Sequence, residues 1–283
     1  MNQAATPAIA TSGDGASLTE LAIAILAADT LEGKLAPIAP GTRDDRRGPP
    51  RRIEAPDRPD ALRAVAARAA RVPPVQGMYD PNQRARILHA LANHELQAVE
   101  LFAWALVAFP DAPGRFRRGL AAILGEEQRH MRLYMDRLGS LGHRMGDFPV
   151  TAHFWNHLDQ MKTPLEFLCV MGLTFENANL DFAQDYADAA RAIGDLATAA
   201  ALDQVHREEI RHVRFAWRWI ERWRADDRST WRVYQDSVAP PLGPGRARGR
   251  RMCLTSRRAA GLDDEFIAGL EAAAPVRPSG APR

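Results

Sequence analysis

The sequence predicts an all-α protein with four long helices in two similar halves, and three observations lead there. Apolar residues recur at helical spacing through most of the chain. Aromatic content is only 7% while alanine is abundant, a balance that suits packed helices better than sheets. The third observation is a phrase that occurs twice. Glu126-Glu127-Gln128-Arg129-His130-Met131-Arg132-Leu133 recurs as Glu208-Glu209-Ile210-Arg211-His212-Val213-Arg214-Phe215, with the charged residues at the same offsets.

Upstream of each copy lies a second glutamate in an apolar helical run: Glu95 in His94-Glu95-Leu96-Gln97-Ala98-Val99-Glu100, and Glu176 in Phe175-Glu176-Asn177-Ala178-Asn179-Leu180-Asp181. Glu95 precedes Glu127 by 32 residues and Glu176 precedes Glu209 by 33, and another acid, Glu100 or Asp181, follows five places on. This is an internal duplication of a two-helix unit.

The elements follow in order. Ser17-Leu18-Thr19-Glu20 is a capping box, so a helix is expected over residues 18 to about 32, burying Leu21, Ile25 and Leu31. Residues 1–16 are expected to lack structure. The Pro- and Arg-rich linker at 43–52 is too charged to fold alone, though it can lie against the helices. A second short helix is expected over 60–71, before Pro73-Pro74.

The first long helix is expected from about 82 to 109, where Pro110-Asp111-Ala112-Pro113-Gly114 turns the chain. The second spans about 115 to 138. Residues 139–163 form a long crossover with one short helix at 150–160. The third long helix spans about 164 to 193, and Asp195 caps the fourth, which ends near 224. A further helix is expected at 229–238, a Pro-, Gly- and Arg-rich unstructured tail at 241–258, and a terminal helix at 261–273. In domain terms this gives an N-terminal arm (1–75), the four-helix unit (76–240) and a C-terminal tail (241–283).

Glu127/His130 and Glu209/His212 each form Glu-x-x-His, whose side chains lie about 60° apart on one helix face and can grip one metal ion. One Glu from each of two helices and one Glu-x-x-His from each of the others is the ligand set of a dimetal carboxylate bundle. Bare carboxylates beside Leu91, Val99 and Phe102, or beside Leu173 and Leu180, would each cost several kcal/mol. Four carboxylates balance two divalent cations.

Over roughly residues 80 to 225, these motifs resemble the ferritin-like superfamily, and the wording His94-Glu95-Leu96-Gln97-Ala98 with Glu-Glu-x-Arg-His is similar to a bacterial and fungal branch known as domain of unknown function 455. The resemblance implies a ferritin-like four-helix bundle with a long crossover, and a metal site, but no substrate. The candidate ligands and catalytic groups are Glu95, Glu127, His130, Glu176, Glu209 and His212. Oxygen and imidazole donors without thiolate favour two iron ions, with manganese or a mixed pair as alternatives.

Glu100 competes with Glu95 for the first-helix position, and alignment of the halves prefers Glu95. Glu126 and Glu208 fall about 100° off the ligand face and are expected to pair with arginines such as Arg129 and Arg211. His206 is a further candidate ligand, with a ligand's hydrogen-bond partner or a core histidine as alternatives. Tyr134 and Asn179 are expected beside the ligands. Gly172, Ala178 and Ala183 are small enough to leave room for a substrate.

A net charge of +2 does not call for a polyanionic partner. Two cysteines in unrelated contexts indicate neither a disulfide framework nor a thiolate metal site. Without a leader-like N-terminus or a membrane-length apolar run, a cytoplasmic protein is expected. The functional expectation is an oxygen-activating di-iron oxidoreductase with a small-molecule substrate and an external electron donor. No membrane or nucleic-acid partner is expected, and a homodimer is the candidate assembly. A rubrerythrin- or ferroxidase-like protein of metal handling or oxidative stress is the second reading. A tRNA-modifying hydroxylase is the third, supported only by six arginines between Arg246 and Arg258.

Overall fold

The computed structural model describes residues 15–275. Most of the N-terminal stretch expected to lack structure, residues 1–14, lies outside the described residues. Among the described residues the chain is all-helical, with two isolated β-bridges and no strand.

The capping box at Ser17 forms as expected, and α1 runs Leu18–Ala27. The expected single helix then breaks. Ala28 is extended, and Thr30 caps a separate turn, α2 (Leu31–Lys34), by accepting the Gly33 N–H. A threonine oxygen that satisfies a free amide favours a new N-terminus over helix continuation.

The expected helix over 60–71 is absent. Only two short 3₁₀ turns form, Asp60–Leu62 and Ala67–Ala69. Leu62 is the one buried apolar residue there, so no apolar face exists to hold a helix down. Val65 instead donates its N–H to Val150 O at 2.9 Å, tying this segment to the crossover.

Two long hairpins carry the molecule. α3 (Pro81–Ala108) opens with Asp80 capping Gln83 and Pro81 in the first turn, and residues 109–113 fold it onto α4 (Gly114–Ser140). The second hairpin begins with α5 (Pro164–Val170), passes through a π-helical turn at Met171–Glu176, and continues as α6 (Asn177–Ala192). Asp195 caps α7 (Leu196–Trp223), which packs back along α6. The hairpins meet most closely where α4 touches α7.

The crossover contains a 3₁₀ turn, Trp155–Gln160, rather than a helix from 150. α8 (Thr230–Ser237) forms where a helix over 229–238 is expected, with Ser229 as its cap. The tail at 241–258 does not stay unstructured, since α9 (Leu254–Ala260) forms and packs on α7 and α6, while the terminal helix expected at 261–273 forms as α10 (Asp264–Ala272) against α8; between them Gly261 has a φ of +96°, which suits a residue without Cβ.

Buried ion pairs fasten the flanking segments. Glu100 on α3 is fully buried, bonded by the Arg58 guanidinium and by Trp155 Nε1 (3.0 Å), with Lys34 Nζ at 3.3 Å. Asp181 on α6 accepts Arg257 Nη1 (2.7 Å) and Nη2 (2.9 Å) and the backbone N–H groups of Gly249 (2.8 Å) and Cys253 (2.7 Å). Arg117 on α4 pins the Pro/Arg linker through Asp44 and also bonds Thr19 on α1. No helix of the described residues is long and apolar enough to cross a membrane.

One buried histidine ties the crossover to α3 and gives a pH test. His89 Nε2 accepts the Gly146 N–H at 3.0 Å, and burial holds its ring down to about 4. The unfolded chain takes up that proton near 6.5, so this contribution to stability is complete above 6.5 and is lost as pH falls toward 4. The slope is at most about 1.4 kcal/mol per pH unit for one proton. His89→Gln, which keeps an acceptor, should flatten denaturant-measured stability across that window; an unchanged pH dependence would contradict the assignment.

Candidate metal centre

The π turn ends on Glu176. A π turn widens the helix and leaves carbonyls poorly paired, and Thr174 Oγ1 compensates by donating to Cys169 O at 2.9 Å. Gly172, read from sequence as room for substrate, has another use. A Cβ there would stand 2.3 Å from Ala216 Cβ on α7, so glycine lets the widened turn approach its neighbour.

The two hairpins bring all six expected side chains into one buried cluster. Two sets of four lie with ligand atoms within 4.8 Å of one another: Glu95, Glu127, His130 and Glu209, and Glu127, Glu176, Glu209 and His212. Glu127 and Glu209 belong to both. His130 Nδ1 is 3.3 Å from Glu127 Oε2, 3.6 Å from Glu95 Oε2 and 4.0 Å from Glu209 Oε1. His212 Nδ1 is 2.9 Å from Glu127 Oε1 and 3.4 Å from Glu209 Oε2. The halves of the duplication therefore meet as near-equivalents around a shared centre.

Each imidazole turns Nδ1 inward and is held from behind by the other half. His130 Nε2 pairs with Glu208 Oε2 at 2.9 Å, and His212 Nε2 with Glu126 Oε2 at 2.7 Å. Arg129 bonds Glu208 and Arg211 bonds Glu126. The sequence reading paired these glutamates with arginines but missed the crossed histidines. A carboxylate behind Nε2 places the ring proton there and leaves Nδ1 as a lone-pair donor toward the centre.

The electrostatics show what the cluster demands. Burial, reinforced by Glu127, pushes Glu95 well above the ordinary carboxylate range, and burial raises Glu176 against the pull of His212. Burial would raise Glu127 too, but His212 and His130 hold it well below that range. Both imidazoles are raised despite burial, by Glu127 and the carboxylates around them. Protons alone thus neutralise the cluster only by protonating carboxylates and imidazoles together.

Several inward atoms find no hydrogen bond at all: Glu127 Oε1, Glu176 Oε1, Glu209 Oε2 and His212 Nδ1. Glu127 Oε1 and His212 Nδ1 are close, yet their geometry is not that of a hydrogen bond. Buried acceptors converging without donors are costly, and divalent cations satisfy them at once. The residues present therefore fit a metal group.

Neighbouring side chains sort cleanly. Glu100 is taken up by Arg58, Lys34 and Trp155, so Glu95 is the α3 carboxylate in the cluster. Asn179 Nδ2 donates to Glu209 Oε1 at 3.0 Å. Tyr134 is 1% exposed, its hydroxyl has no partner, and burial followed by the charges of Glu95, Glu209 and Glu127 raises its pKa. His206 stands outside both sets: its Nε2 lies 2.9 Å from Ser256 Oγ on α9, so the ring helps dock the tail.

A cavity of about 80 Å³ opens from the cluster between α3 and α6. Leu91, Ala98, Phe154, Phe175 and Ala178 give it apolar walls, and His94, His153 and Arg246 also line it. Ala183 and Gly172 do not line it. The sequence reading left His94 and His153 without a role and Arg246 in a loose tail. A usable signal existed: Ala98 and Asn179 hold corresponding places in the duplication, and both line the cavity.

Fold and site together define an all-helical protein with a buried carboxylate and imidazole cluster able to hold metal. Residues 17–268 match the model of the family described as Protein of unknown function (DUF455), and the chain belongs to that family. The match takes in α1 and most of α10 as well as both hairpins. Neither the curated proteins nor the solved structures give a match to the chain.

Removing the crossed carboxylates tests how the imidazoles are held. Glu126→Gln and Glu208→Gln should each weaken Mn²⁺ affinity about 10–100-fold, the range typical of outer partners of ligating histidines, while leaving the helical circular-dichroism spectrum intact. Wild-type affinity in both would mean that these contacts do not orient the rings.

Proposed function

We propose that the chain is a ferritin-like dimetal carboxylate protein in which the two hairpins form a four-helix bundle with a long crossover. In this reading Glu127 and Glu209 would serve both of two ions, with Glu95 and His130 completing one ligand set and Glu176 and His212 the other. The observation that carries it is the pair of four-residue sets with two carboxylates in common.

Oxygen and nitrogen donors without thiolate make iron the expected metal, with manganese or a mixed pair as alternatives. Bound ferrous iron would supply electrons for reducing oxygen, which makes an oxygen-activating oxidoreductase the favoured activity. The protein's own side chains do the rest. Glu208 and Glu126 keep both Nδ1 atoms inward, Asn179 holds Glu209, and Phe154 and Phe175 limit water. Tyr134 Oη is buried without a partner, and burial with the charges of Glu95, Glu209 and Glu127 keeps its proton on, so it can donate a hydrogen bond within the site. The cavity beside the cluster supports a small-molecule substrate over simple metal storage.

The third reading draws less support from the arginines that suggested it. Of the six arginines that suggested RNA, Arg257 is buried on Asp181, Arg248 donates to carbonyls of α10, Arg251 pairs with Asp185 and Asp188, and Arg258 pairs with Asp264.

Protein purified without oxygen should carry about two iron or manganese ions per chain, and Glu127→Ala or Glu209→Ala should lose both because each side chain serves both sites. Oxygen added to the ferrous protein should produce transient visible absorption and, with a reductant, continuous oxygen uptake. Stoichiometric zinc in every preparation would overturn the redox assignment, and a single unrepeated oxidation would favour the rubrerythrin- or ferroxidase-like reading.

A further inference from the structure

Arg246 is the one cation among the residues lining the cavity that also holds Glu95, Glu127, Glu176 and Glu209. Its guanidinium is largely removed from solvent, and burial lowers its pKa. Among the described residues no carboxylate forms an ion pair with it, whereas its neighbours Arg251, Arg257 and Arg258 all have acidic partners. Its side-chain hydrogen bond is to Nε2 of His153, a neutral acceptor there. A sheltered guanidinium with neutral company is expensive to keep unless something negative arrives to meet it.

The backbone that carries Arg246 is fixed. Its N–H bonds Gly243 O at 2.9 Å, Ala247 is fully buried, and Ala247 O accepts from Arg257 Nη2 at 3.4 Å, the same guanidinium that grips Asp181. His153, which receives Arg246, packs against Phe175 in the cavity wall with ring centroids 5.5 Å apart. The lining of one cavity thus combines the guanidinium, an apolar wall and the carboxylate cluster. A ligand spanning this space has an anionic head at Arg246 and a short apolar body pointing toward the cluster.

We propose that Arg246 is the specificity-determining residue of this site and that the ligand is a small monocarboxylate, held by its carboxylate on the guanidinium. This rests on the proposed metal-dependent reading only for the chemistry that follows, and not for the binding itself. One cation balances one negative charge, which favours a carboxylate over a phosphate dianion so near four carboxylates. The planar fork of arginine matches a carboxylate in two parallel hydrogen bonds. Space of about 80 Å³ suits a ligand of roughly six non-hydrogen atoms, since a water needs about 10–15 Å³ on this measure.

Butyrate and its neutral isostere butyramide make the test, titrated by calorimetry or ligand-observed NMR into the full chain as purified, with metal content recorded for every sample. Butyrate should bind at least tenfold more tightly than butyramide. Arg246→Gln should abolish that preference and leave butyramide unchanged, Arg246→Lys should keep part of it, and Arg250→Gln, at an exposed position, should behave as wild type. Equal binding of butyrate and butyramide to wild type, no butyrate binding, or an unaltered preference in folded Arg246→Gln would overturn the proposal. Tighter Arg246-dependent binding of methyl phosphate would overturn the commitment to a carboxylate. Should Arg246→Gln fail to fold, the wild-type contrast and the lysine variant still decide. Folded samples that never take up metal would count against the dimetal reading alone, and loss of the butyrate preference in metal-loaded samples against the Arg246 proposal alone, so the two failures are distinct.

Discussion

Placing four carboxylates and two imidazoles in a dry interior is the constraint from which the rest of this structure follows. Removed from water, each carboxylate loses solvation worth several kcal/mol, and their mutual repulsion is poorly screened there. The protein responds with crossed support. Glu126 of one repeat holds His212 of the other, and Glu208 holds His130, so neither hairpin presents an oriented imidazole alone. The seam between α4 and α7 is therefore an electrostatic device as well as a packing surface.

The duplicated unit uses its second acid for a different purpose in the same way twice. Glu100 and Asp181, each five residues beyond a cluster carboxylate, are fully buried and accept a guanidinium from outside the hairpins: Arg58 from the N-terminal segment and Arg257 from the tail. One acid of each pair builds the centre, and the other clamps the flanking chain over it. Clamping at Asp181 orders the tail and thereby sets Arg246 in the cavity lining. The arms are part of the site's architecture.

Much of this was legible because helical periodicity is local. The four long helices, their turns, the caps at Ser17 and Asp195, and the six residues that meet in the cluster follow from spacing and repetition. What escaped depends on contacts between distant segments. The crossed histidine pairs involve partners on other helices, and nothing linear marks them. The tail read as unstructured because its Arg and Pro content hides the buried acid waiting on α6. The choice between Glu95 and Glu100 was also readable from geometry: residues five apart on a helix point about 140° apart, so the two face different surroundings. The failed helix over 60–71 shows the converse, that alanine and arginine favour helix but supply no face to bury.

The central claim is that the six-group cluster is built to be neutralised by two divalent cations sharing Glu127 and Glu209. Anomalous diffraction from crystals of protein loaded with Mn²⁺ or Fe²⁺ tests it most directly. The account requires two peaks per chain, one between Glu95 and His130 and one between Glu176 and His212, with both shared glutamates between them. Metal bound only elsewhere, or a cluster that keeps its protons at saturating metal, would contradict it.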